Sequence, residues 1–88
     1  MIKTKVTIKN KLGMHARPAT MLVKAASKYR SDFKIIKGDM EINGKSIMGV
    51  MTLAAEQGSE LELVADGVDE EHLIKEISTM FENKFDEE

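Results

Sequence analysis

The sequence predicts an α+β fold in which an antiparallel sheet is covered on one face by helices, and three observations lead there. Stretches of apolar period two and period 3.6 succeed one another as strand, helix, strand, strand, helix, strand, helix. Gly38-Asp39, between the second and third strands, is a pair whose glycine permits a tight hairpin turn, which makes that pairing antiparallel. The chain has 88 residues and no cysteine. A single domain, residues 1–88, must then bury its apolar stripes in one two-layer core without disulfides or thiolate metal sites.

Each element has its own signal. From Ile2 to Asn10 the apolar Ile2, Val6 and Ile8 alternate with Lys3, Lys5, Thr7 and Lys9, the pattern of a half-buried strand. Between Ala16 and Tyr29 the stripe Ala19, Leu22, Val23, Ala26 and Tyr29 lies opposite Thr20, Lys24, Ser27 and Lys28, an amphipathic helix. Phe33 to Lys37 and Met40 to Ile42 are the hairpin strands, and Asn43-Gly44 breaks the second. Ser46 precedes Ile47, Met48, Val50, Met51 and Leu53, a short apolar helix with a serine at its N-cap. Glu60 to Ala65 alternates again, with Leu61, Leu63 and Ala65 on one face. Asp69 is placed to cap the last helix, whose stripe is Leu73, Ile74, Ile77, Met80, Phe81 and Phe85.

Composition excludes several classes. With 42% hydrophobic and 32% charged residues the chain is neither disordered nor membrane-spanning, and no apolar run reaches the roughly 18 residues a bilayer requires. MIKTKVTIKN lacks the apolar centre of a signal peptide, so the expected address is the cytoplasm. The net charge of −2 hides an asymmetry: residues 1–45 carry +8 and residues 46–88 carry −10. A basic half suits an acidic or phosphorylated partner, unless the halves interleave in space. Four aromatics offer little for bases to stack on, which argues against nucleic acid.

Chemistry concentrates at Gly13-Met14-His15-Ala16-Arg17-Pro18-Ala19, between the first strand and the first helix. Pro18 fits a first helical turn and disfavours the helical basin for Arg17, so His15 stands at or just before the helix start. Orphan N–H groups and the positive end of the helix dipole there favour an anion and a neutral, nucleophilic imidazole. The backbone of Ala16, Arg17 and Pro18 would thus receive a phosphoryl group placed on His15, with Arg17 adding a planar cation and Gly13 allowing close approach. Residue chemistry alone leaves open a phosphoryl-accepting histidine or a surface histidine with an arginine beside it. Ser46 reads as an N-cap, and Met21, Ile47, Met48 and Met51 as core. His72, among Asp69, Glu70 and Glu71, reads as a solvated helix residue. No metal or nucleophile constellation stands out, and no cofactor is expected.

GMHARPAT around His15 and KSIMGVMTLAA around Ser46 make the sequence similar, over essentially its whole length, to the histidine-containing phosphocarrier protein (HPr) family of the bacterial phosphoenolpyruvate-dependent sugar phosphotransferase system. The resemblance implies an open-faced sandwich of four antiparallel strands under three helices. It implies that His15 accepts phosphate on Nδ1 from enzyme I and passes it to sugar-specific IIA domains, with Arg17 as the phosphate-binding partner. It makes Ser46 a target of HPr kinase/phosphorylase, with a transcriptional regulator as a partner of that form. Met21, Ile47, Met48 and Met51 become docking residues, and Lys24 a rim charge. Such a carrier is a monomeric substrate of enzymes rather than an enzyme, with no nucleic-acid or membrane partner. The alternatives are a paralogue signalling only through the serine, though such relatives lack the histidine, and a small acylphosphatase-like hydrolase. Many relatives carry glycine where this chain has Ala54, which leaves the segment Ala54 to Ser59 open.

Overall fold

Alternation along the first strand buries one face of it: Ile2, Thr4 and Val6 turn inward while Lys3, Lys5 and Thr7 are exposed along β1 (Ile2–Thr7). The computed structural model describes residues 1–87. Its elements follow as α1 (Ala16–Ala26), β2 (Asp32–Lys37), β3 (Met40–Asn43), α2 (Ile47–Thr52), β4 (Glu60–Asp66) and α3 (Glu70–Glu82), with a terminal turn at Lys84–Asp86. The four strands form one sheet in the order β1-β4-β2-β3. All three pairings are antiparallel, with Val6 opposite Leu61, Phe33 opposite Ala65 and Ile35 opposite both Leu63 and Ile42.

These inward residues meet the helices. Ala19, Leu22, Val23 and Ala26 of α1, Val50 of α2 and Leu73, Ile77 and Phe81 of α3 join Phe33, Ile35, Leu61, Leu63 and Ala65 in one buried cluster. The result is the expected α+β open-faced sandwich. Helix α1 packs against both α2 and α3. The two charge halves interleave, because Lys9 pairs with Glu82, Lys28 with Glu76 and Arg17 with Glu87.

Where element ends differ from the sequence pattern, hydrogen bonding supplies the reason. β1 stops at Thr7, not Asn10, because the chain turns inward: Ile8 N–H donates to Ser59 O, Gly58 N–H donates to Ile8 O, and Ile8 and Asn10 are fully buried. Helix α1 ends at Ala26, and Lys28 and Tyr29 donate instead to carbonyls three residues back, tightening the last turn while Tyr29 still packs on the core. Asp69 precedes α3, but its side chain makes no cap. Its carboxylate accepts from Arg30 N–H, Ser31 N–H and the Ser31 hydroxyl, fastening α3 to the α1–β2 connection. Phe85 lies beyond α3, in the terminal turn. Ala54 takes φ 47°, the left-handed conformation for which glycine is the usual residue, and Lys37 Nζ donates to the Leu53 carbonyl beside it at 3.1 Å.

Candidate functional site

The first helix begins where its neighbours leave no alternative. Gly13, at φ 69°, brings the backbone so close to the segment after α2 that an added Cβ would stand 2.6 Å from Ala55 O. Met14 N–H donates to that same carbonyl at 2.9 Å. His15 then sits at the N-cap of α1 in an extended conformation (φ −89°, ψ −173°), and its side chain does not cap the helix. The ring is therefore available. Pro18, in the first turn, has no N–H to satisfy, so Ala16 and Arg17 supply the leading amides.

What meets the ring comes from the far end of the chain. Glu87 Oε2 lies 2.6 Å from His15 Nε2 and 3.1 Å from an Arg17 guanidinium nitrogen, while Glu87 Oε1 accepts from Asn10 Nδ2 at 2.9 Å. Arg17 also donates to Phe85 O at 2.8 Å, and Asn10 Nδ2 to Gly13 O at 2.7 Å. Three donors from two segments thus converge on one carboxylate. Burial pushes the Glu87 carboxyl up, but the hydrogen bonds from Asn10, His15 and Arg17 outweigh it and hold the group below the usual carboxylate range. The Glu87 side chain is 14% exposed and that of His15 is 35% exposed. A shielded anion is thus held against a ring that solvent and partners can still reach. Lys11, Leu12, Arg17, Asp86 and Glu87 line an adjoining cleft of about 480 Å³.

The turn that delivers Glu87 is unusual. Lys84, Phe85 and Asp86 take φ of 56°, 54° and 60°, a left-handed run that costs L-residues roughly 1–2 kcal/mol each. Burial of Phe85 beneath an edge-on contact with Phe81, ring centroids 4.9 Å apart, opposes that cost. So do the bonds to Arg17, Asn10 and His15.

The structure brings together His15, Arg17 and the Ala16-Arg17-Pro18 backbone, and adds Asn10 and Glu87, which the sequence pattern did not single out. Asn10 looked like the end of a strand, although a polar residue followed by Lys11-Leu12-Gly13 is a loop signal. Glu87 lay 72 positions from His15 in an acidic terminal run. Ser46 sits elsewhere, at the start of α2, where its hydroxyl accepts from Gly49 N–H at 3.1 Å, a true N-cap. Ile47, Met48 and Met51 are exposed on α2, Met48 at 82%, which a purely core role does not explain. Lys24 is exposed on α1. Met21 is half-buried on the core and turns toward α3, lining a cleft with Tyr29 and Met80. His72 is exposed in the first turn of α3.

An open-faced α+β sandwich whose half-buried imidazole shares an anion with an arginine at a helix start is a class built to bind and hand on an anionic group, not to enclose a substrate. The comparisons define it further. The family described as "PTS HPr component phosphorylation site" matches residues 2–83. The phosphocarrier protein HPr of Treponema pallidum (strain Nichols) is 47% identical over 88 residues, the whole of both chains. The crystal structure of HPr-C-His from Thermoanaerobacter tengcongensis is similar at TM-score 0.96 and 45% identity, covering 100% of this chain and 99% of that one. The HPr-like protein Crh of Bacillus subtilis (strain 168) is 38% identical over 78 residues, 89% of this chain and 92% of its own. The chain belongs to the HPr family of the phosphotransferase system. It is a phosphocarrier rather than an enzyme, which sets the hydrolase alternative aside. Phosphotransfer proteins are its partners, and among the described residues no helix is long and apolar enough to cross a membrane.

Proposed function

We propose that His15 is the phosphoryl acceptor of this carrier, taking the group on Nδ1 from phosphorylated enzyme I in the cytoplasm and passing it to sugar-specific IIA domains. The observation that carries this reading is the His15 ring at the N-cap of α1, not used as a cap, with Arg17 drawn to the same Glu87 oxygen as Nε2, at 3.1 and 2.6 Å, so that Nδ1 is the ring nitrogen without a partner among the described residues. A phosphoryl group needs the same partners: a fixed cation with planar donors, unpaired helix amides and a ring held in place. Exposed Ile47, Met48 and Met51, with exposed Lys24 at the rim, form the docking surface, while Met21 turns toward α3 and stands apart from it. Soft thioethers adapt to several unrelated partners there.

Ser46 is the regulatory site, phosphorylated by HPr kinase/phosphorylase, and its phosphorylated form is the one a transcriptional regulator would recognise. The start of α2, where Ser46 is half-buried, tolerates the added charge. The chain acts as a monomer in the transfer. Incubation with enzyme I and labelled phosphoenolpyruvate tests the acceptor directly. Label should appear on the wild type and be absent from His15→Ala, and it should be lost in mild acid but survive base, as a phosphorus–nitrogen bond is. Label that persists on His15→Ala, or that survives acid, overturns the assignment.

A further inference from the structure

We infer that Lys37 is a positioning residue for phosphoryl transfer: from the end of β2 its ammonium ties down the C-terminal end of α2, and with it the carbonyl on which the His15 loop hangs. The role rests on His15 being the acceptor. Lys37 Nζ donates to Leu53 O at 3.1 Å and reaches Ala54 O at 3.5 Å. The next carbonyl, Ala55 O, accepts from Met14 N–H at 2.9 Å, one residue before His15. Three consecutive carbonyls at the end of one helix are thus bound from outside it, two by a lysine and the third by the histidine loop.

Helix α2 needs help at that end. It is six residues long and carries no basic residue in its last turn, so it offers no cation of its own to the negative end of its dipole. The N–H groups of Leu53 and Ala54 turn back onto Val50 O and Met51 O, which leaves the Leu53 and Ala54 carbonyls to find donors elsewhere. Lys37 supplies them from another element. Ala54 itself stands at φ 47°, a left-handed conformation that glycine takes freely and alanine does not, and strain of that kind persists only where surrounding structure holds it. The far end of the segment is fixed independently, by Gly58 N–H to Ile8 O and Gln57 Nε2 to Lys9 O.

The link from this latch to His15 is steric as well as polar. An added Cβ at Gly13 would stand 2.6 Å from Ala55 O and 3.0 Å from Glu56 Cα, so the two backbones meet with nothing between them. Met14 and Ala55 are both buried, and in a close-packed interior a move of one displaces the other. His15 N–H in turn donates to Gly13 O and His15 O accepts from Ala19 N–H, which carries a tilt of the loop to the ring and to the first turn of α1. Misplacing a reacting group by about 1 Å costs up to roughly a hundredfold in rate. Lys37 therefore acts on the rate through the backbone, bonding to nothing in the loop itself.

The test uses the full chain with three substitutions: Lys37→Met, which keeps the reach of the side chain and removes its donors, Lys37→Arg, which keeps donors, and Ala54→Gly. Hydrogen exchange followed by NMR reads the Met14 amide with no phosphoryl donor present. In Lys37→Met that amide should exchange about tenfold faster, while amides of β4, an interior strand of the sheet, keep their wild-type rates. With enzyme I and phosphoenolpyruvate, Lys37→Met should lower the maximal rate of His15 phosphorylation roughly fivefold with KM unchanged, and Lys37→Arg should recover most of it. Glycine holds the left-handed conformation without help, so Lys37→Met should cost far less in the Ala54→Gly background. Wild-type exchange at Met14 in Lys37→Met, or faster exchange with an unchanged maximal rate, overturns the positioning role. So does equal acceleration of the β4 amides, which makes Lys37 a contributor to stability alone, or a loss confined to KM, which makes it a docking charge. Wild-type protein that takes no label on His15 overturns the acceptor assignment instead, whatever Met14 exchange shows, so the two failures are distinct.

Discussion

Arg17 serves two masters at the start of α1: one guanidinium nitrogen donates both to the Phe85 carbonyl and to the Glu87 carboxylate. Among the described residues its remaining donors have no partner, and a charge-assisted contact from them to a phosphoryl group is worth about 1.5–3 kcal/mol. Arg17→Ala should therefore slow phosphoryl transfer by one or more orders of magnitude. The fold should persist with only a modest drop in melting temperature, because Arg17 contributes nothing to the core and its loss removes only the bonds to Phe85 O and Glu87 that tie down the terminal turn. Arg17→Lys should recover only part of the rate, since a point charge cannot bind a carbonyl, a carboxylate and a phosphoryl oxygen in fixed directions at once. Rates measured with enzyme I, set beside thermal unfolding of the same three proteins, decide it; a wild-type rate in Arg17→Ala would remove Arg17 from the site. The position of His15 and Arg17 at a helix start was readable in the sequence because a proline fixes that start, while their part in phosphoryl transfer came from the family resemblance and not from residue chemistry. Glu87 and Asn10 were not readable, because their meeting depends on three consecutive left-handed residues that no glycine announces.

Among the elements, the joint between α3 and the α1–β2 connection is electrostatic. The Ser31 hydroxyl at 2.5 Å, the Arg30 N–H at 2.9 Å and the Ser31 N–H at 3.0 Å all donate to Asp69. Led by the Ser31 hydroxyl, they lower its carboxyl from the ordinary 3.8 to about 2. A carboxyl depressed in the folded state contributes stability that is fully present above its unfolded value and is lost as pH falls through the folded one. Denaturant midpoints should therefore drop between about pH 4 and pH 2, and in Asp69→Asn that part of the drop should be absent while stability near neutrality is lower. Parallel pH curves for the two proteins would show that Asp69 is not the clamp. The sequence marks Asp69 as a helix cap because aspartate before an amphipathic stretch usually is one. Tertiary contact gave its carboxylate better donors. The strands and helices themselves were legible because each buries a single face on a single sheet, so periodicity had only one solution. Their ends were not, since Ile8, Lys28 and Tyr29 are decided by partners distant in the sequence or by tightened turns.

Across the whole molecule the proposed acceptor, His15, and the proposed regulatory serine, Ser46, are linked through α2. The loop carrying His15 rests on Ala55 O just past the end of that helix, and Ser46 caps its start. Six helical residues separate them, a rise of about 9 Å, so the exposed Ile47, Met48 and Met51 lie between the two sites. A phosphate on Ser46 would add a charge of about −1.5 to −2 beside that surface. Arg17 and Lys24 of α1, which packs against α2, are the cations an acidic donor would meet there. Docking of enzyme I should weaken while the fold stays intact, because a negative group at a helix start is electrostatically tolerated. For Ser46→Asp, a weaker mimic, the expected loss of enzyme I affinity is on the order of tenfold at low salt, or about 1.4 kcal/mol. The maximal phosphorylation rate at His15 should change little, since no contact of His15 passes through Ser46. Raising the salt should shrink the difference, because exposed charges are screened over about 8 Å at physiological ionic strength. Titrating enzyme I against wild type and Ser46→Asp at two salt concentrations, with thermal unfolding as a control, separates the outcomes. A salt-dependent loss of affinity in a folded protein makes the serine an electrostatic brake on docking. Equal affinity at low salt, or a loss that tracks unfolding, leaves Ser46 as the cap of α2 and nothing more.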